Sequence, residues 1–411
     1  MKVYDTIIIG GGPAGVICGI HLEGNNLLLE KNDALLKKMT ITGGGRCNLT
    51  NNATLEEYMQ SYYGNGKYYR NAFCNFFNKD IINLLEENDC KTKVEENKRV
   101  FPVTDKSTSV TKTLIKLLEK SDTKFSINSR VTSIKKEDNL FNICINGKTI
   151  VKSKNLVLAC GGNCYVPDNT GNDGYALAKS LGHHSSQQMG GLSPVTVKEK
   201  WTKKLQGITV NVKIEIKADK KRLNTSRGSI IFTHDGLSGF PILDNSMQIE
   251  KHLRKNQNVI INLDLCEKYS YDELDLYLRE TFDKNTNKKV KTCISTLVAK
   301  KISKVLLEQL KIDPEKIANQ VTRKERIKIR DLLKRLTFTV DKVKQEDSMV
   351  TNSGIKRKEI NPNTFESKIT DDLYIIGELI EGCGICGGFN LQQAYSTGYT
   401  VSKTINEEKN K

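Results

Sequence analysis

Residues Tyr4 to Glu30 read YDTIIIGGGPAGVICGIHLEGNNLLLE, and this stretch decides the fold. An apolar run of strand length, Tyr4 to Ile9, breaks into glycines, passes into the helix-forming VICGIHL and resumes as NNLLLE. Strand, tight turn, helix and strand in succession form the opening of a doubly wound α/β sheet. Gly10, Gly12 and Gly15 spell G-x-G-x-x-G at the first turn. The first permits the turn, the second lets backbone approach a pyrophosphate, and the third lets the helix pack closely. The helix start offers unpaired N–H groups and a positive dipole end to phosphates. Glu30 closes the second strand, where a carboxylate can accept hydrogen bonds from both hydroxyls of an adenosine ribose.

Later segments decide which dinucleotide is expected. Leu156 to Gly162 (LVLACGG) reads as a crossover strand returning beneath the same cofactor. Leu373 to Glu378 (LYIIGE) repeats the pattern of a buried strand ending in glycine and acid, then leads through Gly387 and Gly388 into a helix starting near Asn390. Such a layout puts Glu378 near a ribitol hydroxyl and the helix start near the flavin pyrophosphate or the N1/O2 edge. A nucleotide domain closed by distant N- and C-terminal pieces is the FAD layout. The chain shows no separate NAD(P)H-binding Rossmann domain, so NAD(P)H is expected only as a transient reductant. The expected cofactor contacts are Gly10, Gly12, Pro13, Ala14, Gly15, Glu30, Lys31, Gly44, Gly45, Arg46, Cys47, Asn48, Val131, Ala159, Gly161, Gly162, Gly377, Glu378, Gly387, Gly388, Asn390 and Leu391. Arg46 is read as a partner for phosphate or for negative charge on reduced flavin, with a structural loop contact as the alternative.

The 411 residues, 37% hydrophobic and 27% charged, suit a soluble protein of two or three domains. The apolar run at the N-terminal end is strand-length, unlike a signal peptide or a bilayer span, and cytoplasm is the expected compartment, with no membrane and no obligate protein partner. Eleven scattered cysteines, an odd number, argue for reduced thiols. The net charge of +16 is uneven: Thr281 to Arg335 holds 16 Lys or Arg against 6 Asp or Glu. That imbalance favours a polyanionic partner, against the plainer reading of solvated basic helix faces.

TGGGRCNLTN (Thr42 to Asn51), RVFP (Arg99 to Pro102), LACGGNCYVPDNTGNDGYALAKSLGH (Leu158 to His183), FTHDGLSGFPIL (Phe232 to Leu243) and GELIEGCGICGGFNLQQAYSTG (Gly377 to Gly398) follow one another along the chain. In this order they resemble the BaiN/RdsA family of flavoproteins, over nearly the whole length. Glu381, Phe240 and Phe389 stand where that family usually has aspartate, proline and tyrosine. The resemblance implies a Rossmann-type FAD-binding domain (1–190 and 345–411) split around a small β-barrel-like domain (191–268 and 336–344) and a helical domain (269–335). The residues agree: ITVNVKIEI, SIIFTH, VIINLDL and LTFTVD read as antiparallel strands, and ISTLVAKKISKVLLEQL carries apolar residues at helical spacing.

The resemblance also implies reduction of a carbon–carbon double bond by hydride from reduced FAD, either of a uridine in large-subunit (23S) ribosomal RNA or of an unsaturated bile-acid-like molecule. The basic segment favours RNA, because polyphosphate binding rests on cations and a steroid needs an apolar pocket. Lys288, Lys289, Lys291, Lys300, Lys301, Lys304, Arg323, Lys324, Arg326, Lys328 and Arg330 are the expected RNA-binding residues. Cys386, Cys47 and His234 are the candidate catalytic groups, each weighed against an ordinary structural role: Cys386 as a proton donor, Cys47 as a thiol facing the isoalloxazine or a small buried hydrophobe, and His234 as a substrate-side or turn histidine. Cys383 and Cys386 form a C-x-x-C, but no second such pair completes a zinc site, so no metal is expected. His183 and His184, after a helix end, read as structural. A non-catalytic RNA-binding flavoprotein stands as a reading of another class.

Overall fold

A computed structural model describes residues 2–64, 66–164 and 172–410, so the stretch 165–171 of the Leu158 to His183 motif lies outside the described residues. The chain folds as two compact units, 1–190 with 349–411 and 191–348.

In the first unit, strand Val3–Ile9 pairs in parallel with Asn26–Leu29 on one side and Thr149–Leu158 on the other. Thr123–Ser126 extends the parallel sheet beyond Asn26–Leu29, and Leu373–Ile375 adds a parallel strand to Thr149–Leu158. Ile7 and Ile8 are both fully buried, as a central parallel strand covered on both faces requires. The outer strands Leu140–Ile145 and Val131–Glu137 are an antiparallel meander. Helix Pro13–His21 starts with proline, whose missing N–H is not needed in a first turn. It packs against the C-terminal helix Phe389–Lys409, and a side chain at Gly398 would come within 2.3 Å of the Ala14 carbonyl oxygen. Glycine lets the two backbones meet there.

The second unit contains a closed barrel in the order Val195–Val197, Gly236–Ser238, Lys221–Phe232, Thr209–Ala218, Val259–Asp264 and Leu336–Val343. Val212, Ile214, Ile216 and Ala218 point inward at the period of two that a strand imposes. Helices Tyr271–Lys284 and Arg323–Lys334 each begin with a capping box, Ser270 with Glu273 and Thr322 with Glu325. Where the sequence suggests separate barrel and helical pieces, the barrel residues Ile261, Leu263 and Phe338 share one hydrophobic core with Leu274, Leu306 and Leu333 of the helices. The return to the first unit falls at Met349 rather than residue 345. The turn at Gln345–Asp347 stays with the barrel because Ser348 bonds Ser193, Oγ to Oγ, at 2.7 Å. Among the described residues no helix is long and apolar enough to cross a membrane.

Candidate cofactor site and basic surface

The three fingerprint glycines are required for different reasons. Gly10 has φ +114°, and a Cβ there would lie 2.3 Å from the Ala159 carbonyl oxygen. A Cβ at Gly15 would lie 2.0 Å from the Gly10 carbonyl oxygen. One at Gly12 would meet nothing within 4 Å, and Gly12 caps the first helix with no side-chain hydrogen bond to its N–H groups. This is an open cradle at a helix start, the arrangement that suits a pyrophosphate. Beside it the buried Glu30 carboxylate accepts from the Gly11 N–H at 2.6 Å and from the Asn32 N–H at 2.8 Å. Next in the chain, Lys31 meets Asp173 at 3.3 Å, an acid that also holds Arg130 at 2.7 Å.

The other expected segments come to the same rim of the sheet. Ala159 lies over Gly10, a Cβ at Gly377 would sit 2.9 Å from that of Ala14, and Gly162 is close-packed on Thr351 and Glu378. Gly161 faces open space, and Val131 is buried at the start of its strand. Glu378 accepts from Lys38 Nζ at 2.8 Å and from the Thr351 N–H at 2.7 Å. From the first turn of the C-terminal helix, Asn390 Oδ1 accepts from the Gly384 N–H of the preceding loop at 2.7 Å and its Nδ2 donates to the Gly384 carbonyl at 3.0 Å. Asn390 therefore clamps that loop, and Leu391 follows it half-buried. With its amide oriented to satisfy both partners, Asn48 accepts from the Gly388 N–H at 3.1 Å, which joins the GGGRCN loop to the C-terminal one. Gly387 and Gly388 both have positive φ, and a Cβ at Gly388 would strike Thr50 backbone at 2.5 Å.

In GGGRCN, Arg46 and Cys47 take the structural alternatives that the sequence left open. Gly44 and Gly45 have positive φ and open space around them, as a backbone approached by a cofactor needs. Arg46, however, is taken by carboxylates: Nε donates to Asp105 at 2.8 Å, Nη2 pairs with Glu95, and the guanidinium lies over the Phe101 ring. Cys47 is 0% exposed, and burial pushes its thiol up to about 12. It is an enclosed hydrophobe, out of reach of any substrate. Cys386 is half-buried, and His234 is exposed in the second unit, its Nδ1 3.4 Å from Gln206 Oε1. Sequence reasoning missed Lys38, Asp173 and Thr351, whose partners lie 27 to 340 residues away and leave no local signal.

His183 and His184 close on one acid. The Glu359 carboxylate meets His183 Nδ1 at 3.2 Å and His184 Nδ1 at 3.1 Å, while His183 Nε2 is 2.8 Å from Ser367 Oγ. The order Ser, His, Glu is that of an acyl-transfer triad, but Ser367 is 6% exposed and its Oγ accepts the Ile369 and Thr370 N–H groups. Nothing can reach it, so the cluster is a structural clamp. Burial lowers the His183 pKa, and Glu359 is held low by the His184 N–H and the two imidazoles against the opposing effect of its burial. For both groups the folded pKa lies below the unfolded one, so stability is complete above about pH 6.5 and is lost as pH falls through the folded values. The melting temperature should therefore drop between about pH 7 and pH 5. His183→Gln should flatten that drop; an equal slope in the variant would remove His183 from the account.

Of the expected RNA-binding cations, Lys289 and Lys291 bracket Glu315, Arg326 pairs with Asp275 at 3.0 Å and Arg330 with Asp331 at 2.6 Å. Lys288, Lys300, Lys301, Lys304, Arg323, Lys324 and Lys328 are exposed and have no carboxylate partner among the described residues. The second unit, 191–348, carries 33 Lys and Arg against 21 Asp and Glu, a net +12 of the chain's +16.

A family model described as HI0933-like protein Rossmann domain matches residues 4–404. A 3-dehydro-bile acid delta(4,6)-reductase of Clostridium scindens is 27% identical over 407 residues, 97% of this chain and 98% of that protein. A ribosomal RNA dihydrouridine synthase of Escherichia coli is 26% identical over 417 residues, 98% of each chain. Among solved structures, a 3-ketosteroid delta1-dehydrogenase from Sterolibacterium denitrificans matches 99% of this chain and 100% of its own with a TM-score of 0.53 at 11% identity, a likeness of fold.

Proposed function

The chain belongs to the HI0933-like Rossmann-domain family of FAD-dependent oxidoreductases, and from that premise we propose that it reduces a uridine of large-subunit ribosomal RNA to dihydrouridine with NAD(P)H as electron source. FAD, when bound, supplies hydride to the pyrimidine double bond. The chain's share is to hold the cofactor, position the base and deliver a proton to the neighbouring carbon. Gly12 and the helix start behind it would hold the pyrophosphate, Glu30 the adenosine ribose, and Gly44, Gly45, Glu378 and the Gly387–Gly388 turn the rest. Cys386 and His234 are the proton-donor candidates. A uridine in folded RNA must leave its stack to be reduced, and the cations of the second unit would grip the flanking backbone.

The observation that carries the choice of substrate is the net +12 of the second unit, with seven exposed lysines and arginines between residues 288 and 328 that have no carboxylate partner among the described residues. A phosphodiester backbone uses such a surface, whereas a steroid uses an apolar pocket. The bile-acid reductase relative favours a second reading, reduction of a small enone or enoyl substrate. Mass spectrometry of nucleosides from large-subunit rRNA should show dihydrouridine lost in a strain lacking the gene and restored on complementation. Unchanged rRNA would transfer the reaction to a small molecule.

A further inference from the structure

We propose that the tip of the barrel hairpin Thr209–Ala218/Lys221–Phe232 is a second binding site for RNA phosphodiester backbone, carried by Lys220, Lys221, Arg222 and Lys255. The proposal rests on the RNA reading of the preceding section and adds a surface outside the basic helices. The hairpin is a stiff ribbon, with paired positions running from Thr209 opposite Ile231 to Ala218 opposite Lys221. Its tip is docked on the loop after helix Ser246–Leu253: Asp219 donates its N–H to the Asn258 carbonyl at 2.8 Å, and its carboxylate accepts from the Asn258 N–H and Gln257 Nε2, each at 3.0 Å. That loop brings Lys255 to the tip. Asp219 is thereby spent on neutral donors.

Lys220, Lys221, Arg222 and Lys255 are all exposed and have no carboxylate partner among the described residues. On the same segments Lys217 is matched by Glu215 at 3.0 Å and Arg254 by Glu250 at 2.7 Å. Lys217 and Arg222 also stand directly opposite each other in the ladder. The tip is separate from the helices. Lys213 opposite Asp264 and Ala218 opposite Val259 mark five residues of strand, about 17 Å, and Asp264 is where Lys334 of the last basic helix is anchored at 2.6 Å. Four exposed cations along a ridge suit a polymer of phosphates better than a small anion, which needs donors converging on one point.

The test compares FAD-loaded wild-type protein, the triple variant K220Q/K221Q/R222Q and the helix variant K300Q/K301Q/K304Q. Affinity for labelled poly(U) is read by fluorescence anisotropy across a salt series. The hairpin variant should lose at least about ten-fold in affinity at 0.1 M salt, and its slope of log K against log salt should shrink by about 2, with flavin content and melting temperature unchanged. An unchanged slope in the hairpin variant, or no wild-type binding of poly(U) at about 50 mM salt, overturns the proposal. So does a variant that loses binding to polyglutamate but keeps poly(U), which would make the partner an acidic protein. The nucleoside measurement is independent of this one: rRNA that keeps its dihydrouridine without the gene, together with a hairpin variant of reduced salt slope, removes the reaction and leaves the RNA surface standing.

Discussion

Gly10→Ala should yield protein that does not assemble its first unit and retains no flavin, whereas Gly12→Ala should fold with the melting temperature of flavin-free wild-type protein and lose flavin all the same. At Gly10 the backbone has φ +114° and the new methyl would sit 2.3 Å from the Ala159 carbonyl oxygen, on the strand that pairs with Val3–Ile9. Either the turn or the central strand pair must move. Backbone strain and overpacking together cost on the order of 4 kcal/mol, a large part of a typical folding free energy. At Gly12 φ is −77° and a methyl meets nothing, so the apoprotein is not strained. The methyl fills only the space that a pyrophosphate needs. Absorbance of bound flavin and thermal melts on the two variants check both halves. A Gly12→Ala protein that keeps stoichiometric flavin would falsify the assignment of that cradle to the cofactor.

Lys334→Met should be strongly destabilising to the second unit although it removes no apolar volume. Its side chain is 8% exposed on the last turn of helix Arg323–Lys334, where Nζ donates to the Tyr269 carbonyl at 2.5 Å and the Cys266 carbonyl at 3.3 Å, and pairs with Asp264 at 2.6 Å. Methionine fills the same volume but strands a carboxylate and two carbonyls in a nearly dry place. A cost of about 3 kcal/mol follows from leaving a buried charge and its hydrogen-bond partners unmatched. Arg227→Met is the control: Arg227 pairs with Glu267 but is 73% exposed, and its removal should leave the denaturant midpoint within error. Urea titration of the two variants gives the comparison. Equal midpoints would show that the packed face of the helix, not Lys334, joins it to the barrel.

The dinucleotide fold was legible because its constraints are local. Gly10 and Gly15 are close in sequence, the second is packed on the carbonyl of the first, and only glycine fits either place. The inward alternation of Val212, Ile214, Ile216 and Ala218 announces a strand in the same way. Legible too was the helix entered through Gly387 and Gly388, since positive φ at both leaves little choice of residue. Illegible was every property that depends on where a distant part of the chain returns. Arg46 reads as a partner for phosphate or as a structural loop contact, and its carboxylates, Glu95 and Asp105, lie 49 and 59 residues on, where no local pattern could choose between the two.

By itself, then, the sequence determined the Rossmann-type βαβ opening, the alternating strands of the barrel and the basic excess of the second unit, because these are written in residue type, local spacing and simple charge. Only the tertiary structure decided that Cys47 is enclosed, that Glu378 is matched to Lys38 from 340 residues away, and that Val195–Val197 pairs with Leu336–Val343 to close the barrel. Burial and charge pairing belong to the surroundings of a side chain, and those surroundings are fixed only when the chain has packed.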